Sequence, residues 1–474
     1  MNWEIEGFLE IEKGALLIDG AAAIELAECF GTPLFVFSEN RIKHNIERLQ
    51  LAGKHVKGAL KICYAAKANS TMAILRVVRE AGADLEVNSG GELWKALKIG
   101  FAPEQIIFNG TSKTVEELEQ AINAGIYAIQ VDSLYELELI ETVAKNLKKR
   151  ANVSLRLVPE IETKTHSGLQ TALRTSKFGM MADEFFTAFE KHCKSDFLNL
   201  CGIHLHLGSQ TPDIAPFDAA IESVFSIVKT LYKDFGVKLS HVNLGGGFPV
   251  NYLRDDSNAF SINEERRALF AADLEPSIVL ETIMEKFYRF AKDSNIESLC
   301  GDLTILLEPG RSVIADAGVC LTTVRNFKQR PLSQSKIQNP KSKIQNEKWL
   351  LTDAGFNILL SMETYKWYYH LISAARAGET AKTPYKVAGP LCDGGDVYFD
   401  IEGENRLPDY RLLPENVSPG EVLALLNCGA YSVAQMFQYN ARFLPPVVLI
   451  RADKTIELIR KRDSFADLIT NDIW

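Results

Sequence analysis

The chain has 474 residues, a formal net charge of -9, 46% hydrophobic and 24% charged residues, an ordinary globular composition with room for a large core and two domains. The acidic balance argues against nucleic acid or an anionic membrane as partner, and no uninterrupted apolar run approaches a membrane span. The opening Met1-Asn2-Trp3-Glu4-Ile5-Glu6 lacks the basic and apolar regions of a signal peptide, and the eight cysteines include no Cys-x-x-Cys pair, so a cytoplasmic protein with reduced thiols is expected.

Two weak strands are predicted near Phe8–Ile11 and Ala15–Ile18, followed by an Ala/Glu-rich helical stretch. After the Gly31-Thr32-Pro33 punctuation comes a strand at Leu34-Phe35-Val36-Phe37, then a helix with Ile42, Ile46 and Leu49 on one face. From there one architectural unit recurs: a short apolar strand, a polar or glycine-rich turn, and a helical segment. The strand ends are Tyr64–Lys67, Leu85–Ser89, Ile106–Asn109, Ile129–Asp132, Val153–Arg156, Ile203–His206, Val242–Gly245 and Ile305–Glu308. Eight such units over about 250 residues predict a closed (β/α)8 TIM-type barrel, a doubly wound open sheet being the alternative. In a barrel the C-terminal strand ends share one mouth, which would gather Lys67, Glu86, Asn109, Asp132, Arg156, His206, the glycines at 245–247 and Glu308.

Beyond Arg311 the texture becomes short strands between Gly/Pro turns, predicting a second, β-rich domain (β-sandwich or barrel-like) that the N-terminal strands complete. The expected division is a barrel over 35–312 and a β-rich domain over 1–34 and 313–474. Residues 328–346 carry Ser-Lys-Ile-Gln-Asn twice and read as a disordered surface insertion.

Lys67 closes the apolar run Leu60–Ala66. A lysine held in low dielectric loses its preference for the charged form, and the free amine can form a Schiff base, most commonly with pyridoxal phosphate. Most strand-end lysines merely extend to solvent; the neighbouring motifs argue otherwise here. Gly245-Gly246-Gly247 after a strand lets backbone N–H groups approach a phosphate. Glu308, in Glu308-Pro309-Gly310-Arg311, can pair with a protonated pyridine nitrogen, although a surface Glu–Arg pair reads as well in isolation. His204 and His206 alternate across a strand, so at most one faces the mouth. No carboxylate or thiol stands at a matching near spacing, so no metal is expected.

With these motifs in hand the chain resembles the fold-type III pyridoxal-phosphate decarboxylases (the ornithine/diaminopimelate/arginine decarboxylase family), most of all the diaminopimelate branch. The resemblance runs through nearly the whole chain. It is carried in order by Phe30–Phe37, Tyr64–Asn69, Val87–Leu93, Ser176–Gly179, His204–Gln210, Asn243–Phe248, Glu308–Ser312, Gly389–Asp393 and Gly429–Tyr431. It implies that Lys67 binds pyridoxal 5'-phosphate covalently, with Glu86 nearby, that His206 stacks on the pyridine ring and that Glu308 pairs with its nitrogen. Ser209, Gly245, Gly246, Gly247, Gly310, Arg311 and Tyr431 would hold the phosphate. Asp393, Arg311 and Tyr431 would meet the amino-acid substrate. Cys392 and Asp393 would come from the partner subunit of a homodimer with shared sites, Cys392 donating a proton to the α-carbon after carbon dioxide leaves. A carboxylate at position 308, where alanine racemases place an arginine, favours decarboxylation over racemisation. A non-catalytic cofactor-binding protein is the reading from another class.

Three departures touch the substrate. Asp353-Ala354-Gly355-Phe356-Asn357 is followed by Ile358–Tyr365 with no arginine, where the diaminopimelate branch has one for the distal carboxylate. Its Cys-Glu-Ser is Cys392-Asp393-Gly394 here, and Glu86 replaces the usual aspartate. The run Tyr365–His370 either lines an enlarged pocket or packs in the core. These point to a substrate other than free diaminopimelate: ornithine, lysine, arginine, or a modified or conjugated amino acid.

Overall fold

The computed structural model describes residues 3–254, 262, 264–331, 346–398 and 410–473. They form two compact units, Met1–Arg41 with Asn251–Ala271 and Ile314–Trp474, and Ile42–Val250 with Ala272–Val313.

The first unit begins with β1 (Leu9–Glu12), β2 (Ala15–Ile18) and β3 (Ala21–Ala22), an antiparallel three-stranded sheet of its own. β4 (Leu34–Ser38) belongs to a second, larger sheet. All five of its residues are buried, as a two-sided interior strand requires.

The second unit is the barrel. β5 (Leu60–Ala65), β6 (Asp84–Val87), β7 (Ile106–Phe108), β8 (Ala128–Val131), β9 (Ala151–Arg156), β10 (Leu198–His204), β11 (His241–Asn243) and β12 (Thr304–Leu307) run parallel in sequence order, and β12 closes on β5. The eight predicted strands are all here. Their apolar runs are buried on both faces because helices cover the outside. Local sequence starts those helices crisply. Ser89, Thr114 and Ser133 each accept the backbone N–H of a glutamate three residues on, at Glu92, Glu117 and Glu136, so each strand-to-helix turn ends on an N-cap. Gly100 and Gly125 then stop two of the helices in left-handed conformation. Ile42, Ile46 and Leu49 are buried along the helix Glu39–Gln50, as their spacing predicts.

The β-rich unit continues with β13 (Gly318–Pro331), β14 (Asn346–Thr352), β15 (Leu371–Ser373), β16 (Thr383–Ala388), β17 (Arg411–Leu413), β18 (Val422–Leu425), β19 (Val447–Ile450) and β20 (Ile456–Arg460). β13 pairs with β4 and β18 at its start and β14 at its end, and β4 also pairs in parallel with β19. Phe8, Leu9, Leu16 and Ile18 of the N-terminal sheet share one core with Leu34, Val36, Val319, Leu321, Val448 and Ile450.

The division differs from the 35–312 reading at two places. β4 lies in the β-rich unit because both its edges are paired there, and 251–271 joins it through Tyr252, whose N–H meets Phe270 O and whose ring packs on Trp367. Of the expected insertion 328–346, residues 332–345 lie outside the described residues, while 328–331 and 346 are the paired ends of β13 and β14. In the run Tyr365–His370, Trp367, Tyr368 and Tyr369 are 1%, 0% and 2% exposed. Trp367 packs on Tyr252 and Phe270, and Tyr368 on Phe270, as core aromatics do.

Candidate active site at the barrel mouth

The C-terminal ends of the barrel strands bring together a polar cluster that an apolar barrel would otherwise exclude. Lys67 lies in a single turn, Ala66–Ala68, directly after β5. Its Nζ donates to Glu86 Oε1 and Oε2 at 3.2 and 3.3 Å. Glu86 sits on β6 with its side chain 0% exposed, against 38% for Lys67. Asn109, just past β7, donates from Nδ2 to Glu86 Oε1 at 2.7 Å and to Glu308 Oε1 at 2.9 Å. Asn243 at the end of β11 gives Glu308 Oε1 a second donor at 2.7 Å, and His204 Nε2 lies 3.5 Å from Oε2.

The two carboxyls are driven apart. Burial by itself would raise Glu308, but His204, Lys67 and His206 outweigh it and hold the group well below the usual carboxylate range. Burial raises Glu86, with Lys67 opposing and Glu308 reinforcing. Neighbouring titratable groups pushed in opposite directions are a mark of acid–base sites. His206 is pushed down to about 3, first by burial and then by the Lys67 charge. A neutral ring fits its contact, since Nδ1 accepts the Gly246 N–H at 3.0 Å.

The glycine turn is packed too tightly for any side chain. A Cβ at Gly245 would stand 2.5 Å from Leu205 O, and one at Gly246 2.3 Å from Glu308 O. Two of the three N–H groups are spent inside the protein, Gly245 on Asn243 Oδ1 at 2.9 Å and Gly246 on His206. What stands ready for an anion is therefore a side-chain set. Arg311 Nε donates to Ser209 Oγ at 3.1 Å, and Gly310 O accepts the Val313 N–H. The hydroxyls of Thr211 and Ser312 are buried with no hydrogen-bond partner among the described residues. Arg156, at the end of β9, lies 3.8 Å from Asp132 Oδ1 with its guanidinium 4.2 Å from the Phe178 ring centre; burial lowers its pKa.

Cys392, Asp393 and Tyr431 lie in the β-rich unit. Cys392 is exposed, its N–H bonded to Asn440 Oδ1 at 2.7 Å. Asp393 is exposed too, accepting the Tyr439 hydroxyl at 3.3 Å and the Gly395 N–H at 2.9 Å. Tyr431 has a φ of 57°, in the left-handed region. Ile358, Leu359 and Met362, where a substrate arginine would stand, are buried apolar side chains.

Sequence reasoning placed Asn109 at the mouth without a task and gave His204, Asn243, Thr211 and Ser312 none. The expectation that at most one of His204 and His206 faces the mouth does not hold: two residues apart on an extended chain they share a face, and both act on Glu308.

Among the described residues no three His, Cys, Asp or Glu side chains converge to hold a metal ion, and no helix is long and apolar enough to cross a membrane. A buried anionic carboxyl for a ring nitrogen, an amine beside a carboxyl, and orphaned hydroxyls around a glycine turn fit pyridoxal phosphate. The barrel and its mouth thus define a pyridoxal-phosphate barrel enzyme. The family model for the pyridoxal-binding domain of pyridoxal-dependent decarboxylases matches residues 42–315. The diaminopimelate decarboxylase of Methanocaldococcus jannaschii is 36% identical over 471 residues, covering 98% of this chain and 96% of that protein. That of Aquifex aeolicus is 33% identical over 462 residues, covering 98% and 96%. The solved structure of the M. jannaschii enzyme in complex with L-lysine superposes with a TM-score of 0.81 at 35% identity, covering 98% of each chain. The chain belongs to the pyridoxal-dependent decarboxylase family. It is a pyridoxal-phosphate-dependent carboxy-lyase acting on an amino acid.

Proposed function

We propose that this enzyme removes the α-carboxylate of an amino acid with a distal ammonium group and no distal carboxylate, at a site completed by a second subunit. Pyridoxal phosphate, when bound, supplies the electron sink for the pair that the departing carboxylate leaves behind. Lys67 would hold the cofactor through its amine. Glu308, ionised and fixed by Asn109 and Asn243, keeps the proton on the ring nitrogen. His206, neutral and anchored by Gly246, would cover the ring and exclude water. Ser209, Arg311, Thr211 and Ser312 take the phosphate.

Cys392 gives the proton to the α-carbon and Asp393 meets the distal ammonium, both from the partner subunit of a homodimer. Their exposure supports this reading, since a thiol that must reach another chain cannot be packed in its own core. Co-expression of Lys67→Ala with Cys392→Ala tests it: mixed dimers with one intact site should regain about a quarter of wild-type activity. Absence of any regain sinks the shared site.

The observation that carries the substrate reading is Asp393 on the exposed turn, with no arginine among residues 358–365. Free diaminopimelate is the second reading, favoured by the names of the relatives and by a cavity of about 690 Å³ in the β-rich unit. Asn357 and Leu391 line it together with Arg442 and Arg462, guanidiniums able to hold a carboxylate, and with Arg325, whose own guanidinium is paired with Asp353. Carbon dioxide release from meso-diaminopimelate, ornithine, lysine and arginine decides. A kcat/KM for diaminopimelate at or above the others would replace the first reading by the second.

A further inference from the structure

Glu86 is fully buried and accepts from the Lys67 amine. Asn109 grips it from the other side. One amide NH2 has two hydrogens, and Asn109 gives one to Glu86 and one to Glu308, which fixes both carboxyls at a set spacing. The pair is not symmetric. Glu308 has two amide donors, Asn109 and Asn243, whereas Glu86 has one, Asn109, and the lysine. A proton entering such a pair goes to the carboxyl with fewer fixed donors. The groups facing Glu86 are Lys67 beyond β5, Asn109 beyond β7, Arg156 of β9, Glu308 beyond β12 and Glu92 in the helix after β6.

We infer that Glu86 is the proton shuttle of Lys67, taking a proton from Nζ as the amine condenses with the cofactor's aldehyde and returning it to the oxygen that leaves as water. Asn109 is the positioning residue that holds it there. The inference rests on Lys67 being the lysine that carries the cofactor.

The step balances. An ammonium has no lone pair, so one Nζ–H bond breaks and an O–H bond forms on Glu86. The freed pair makes the C–N bond, and the carbonyl π pair moves to oxygen. A second Nζ hydrogen passes to that oxygen, the Glu86 proton converts it to water, and the C–O bond breaks with its electrons on the leaving water. The nitrogen pair then closes the C=N bond. One ammonium and one aldehyde give one water and one protonated C=N link, and Glu86 ends as it began. A carboxyl raised by burial holds a proton more readily than a free one, which suits it to both halves of this exchange.

The test is cofactor capture, not turnover. Apoenzyme is mixed with pyridoxal phosphate and the growth of visible absorbance is followed across pH. Glu86→Gln should slow capture about 10²-fold at neutral pH, with formate or acetate restoring the rate in proportion to its concentration. Asn109→Ala should slow it about tenfold by letting the carboxyl drift. A Gln variant that captures at the wild-type rate overturns the inference, and so does slow capture that no small acid restores, the result of a packing defect. On the unaltered enzyme the capture rate must be bell-shaped in pH; a flat profile overturns the inference even if the Gln variant fails to fold. Lys67→Ala separates the two readings. A retained band there removes Lys67 and this inference together, whereas no band beside an unimpaired Gln variant removes the inference alone.

Discussion

At the barrel mouth the side chains of Glu86 and Glu308 are 0% and 2% exposed, and each has fixed donors within 3 Å. In the β-rich unit Cys392 and Asp393 are exposed, and the turn that carries them is held mainly through backbone groups, Cys392 N to Asn440 and Gly395 N to Asp393. Buried charges demand prearranged partners, and removing one of a pair costs about 3–5 kcal/mol. An exposed turn carries no such penalty and can change side chains freely. The machinery common to a reaction class belongs in the first kind of region and substrate choice in the second. Of the departures from the diaminopimelate pattern, Asp393 and Gly394 lie on the turn and the conservative Glu86 in the network, whereas the segment that lacks the arginine is buried at Ile358, Leu359 and Met362.

The largest expected effect breaks the buried side. Lys67→Ala should lower kcat about 10⁴-fold and abolish the visible absorbance of the loaded enzyme. A retained band would remove Lys67 from the site. Glu308→Gln comes next, at about 10²- to 10³-fold in kcat. It also has a stability signature. Glu308 is held below its unfolded value of about 4.5, so its contribution is fully present above that pH and is lost as pH falls below it. The wild type should lose stability on acidification more steeply than the Gln variant in urea unfolding. Equal slopes would show that the network does not hold the charge.

Asp396 tests the scaffold beneath the exposed turn. Its Oδ1 and Oδ2 accept the N–H groups of Phe356 at 2.9 Å and Leu391 at 2.8 Å, and a Cβ at Gly389 would lie 2.3 Å from Oδ2. Burial pushes its pKa up to about 6, with Asp393 and Glu363 adding to the rise. A raised acid stabilises the fold fully below its unfolded value of about 3.8 and loses that contribution as pH rises through about 6. The loss amounts to at most about 3 kcal/mol. Asp396→Asn should flatten the unfolding free energy between these pH values. An unchanged slope would show that Asp396 is not the titrating group.

Legibility followed the same line between local and tertiary physics. The eight barrel strands could be read because apolar runs and turn glycines are local signals. Lys67, Glu86 and Glu308 could be placed because a barrel collects strand ends by topology. What could not be read is which sheet an apolar strand joins. Leu34–Ser38 looks like a barrel strand, yet its partners β13 and β19 lie roughly 280 and 410 residues away. Nor could the sequence say that one asparagine bridges two carboxyls, or that two glycine N–H groups are used up within the turn.

The smallest effect bears on the exposed side and discriminates most finely. Asp393→Asn should leave stability within about 0.5 kcal/mol, because the carboxylate is exposed and an amide oxygen can still accept the Gly395 N–H. The lost charge is felt nearby first. Asp393 raises the pKa of the Tyr439 phenol by its charge and its hydrogen bond, so the variant's phenol should titrate at lower pH in an ultraviolet difference titration. For the reaction, kcat/KM should fall about tenfold for substrates with a distal ammonium, the equivalent of about 1.4 kcal/mol, and stay unchanged for substrates without one. A uniform fall across both classes would place Asp393 in the architecture of the turn, not in recognition, and would leave the substrate's distal end to the arginine-lined cavity.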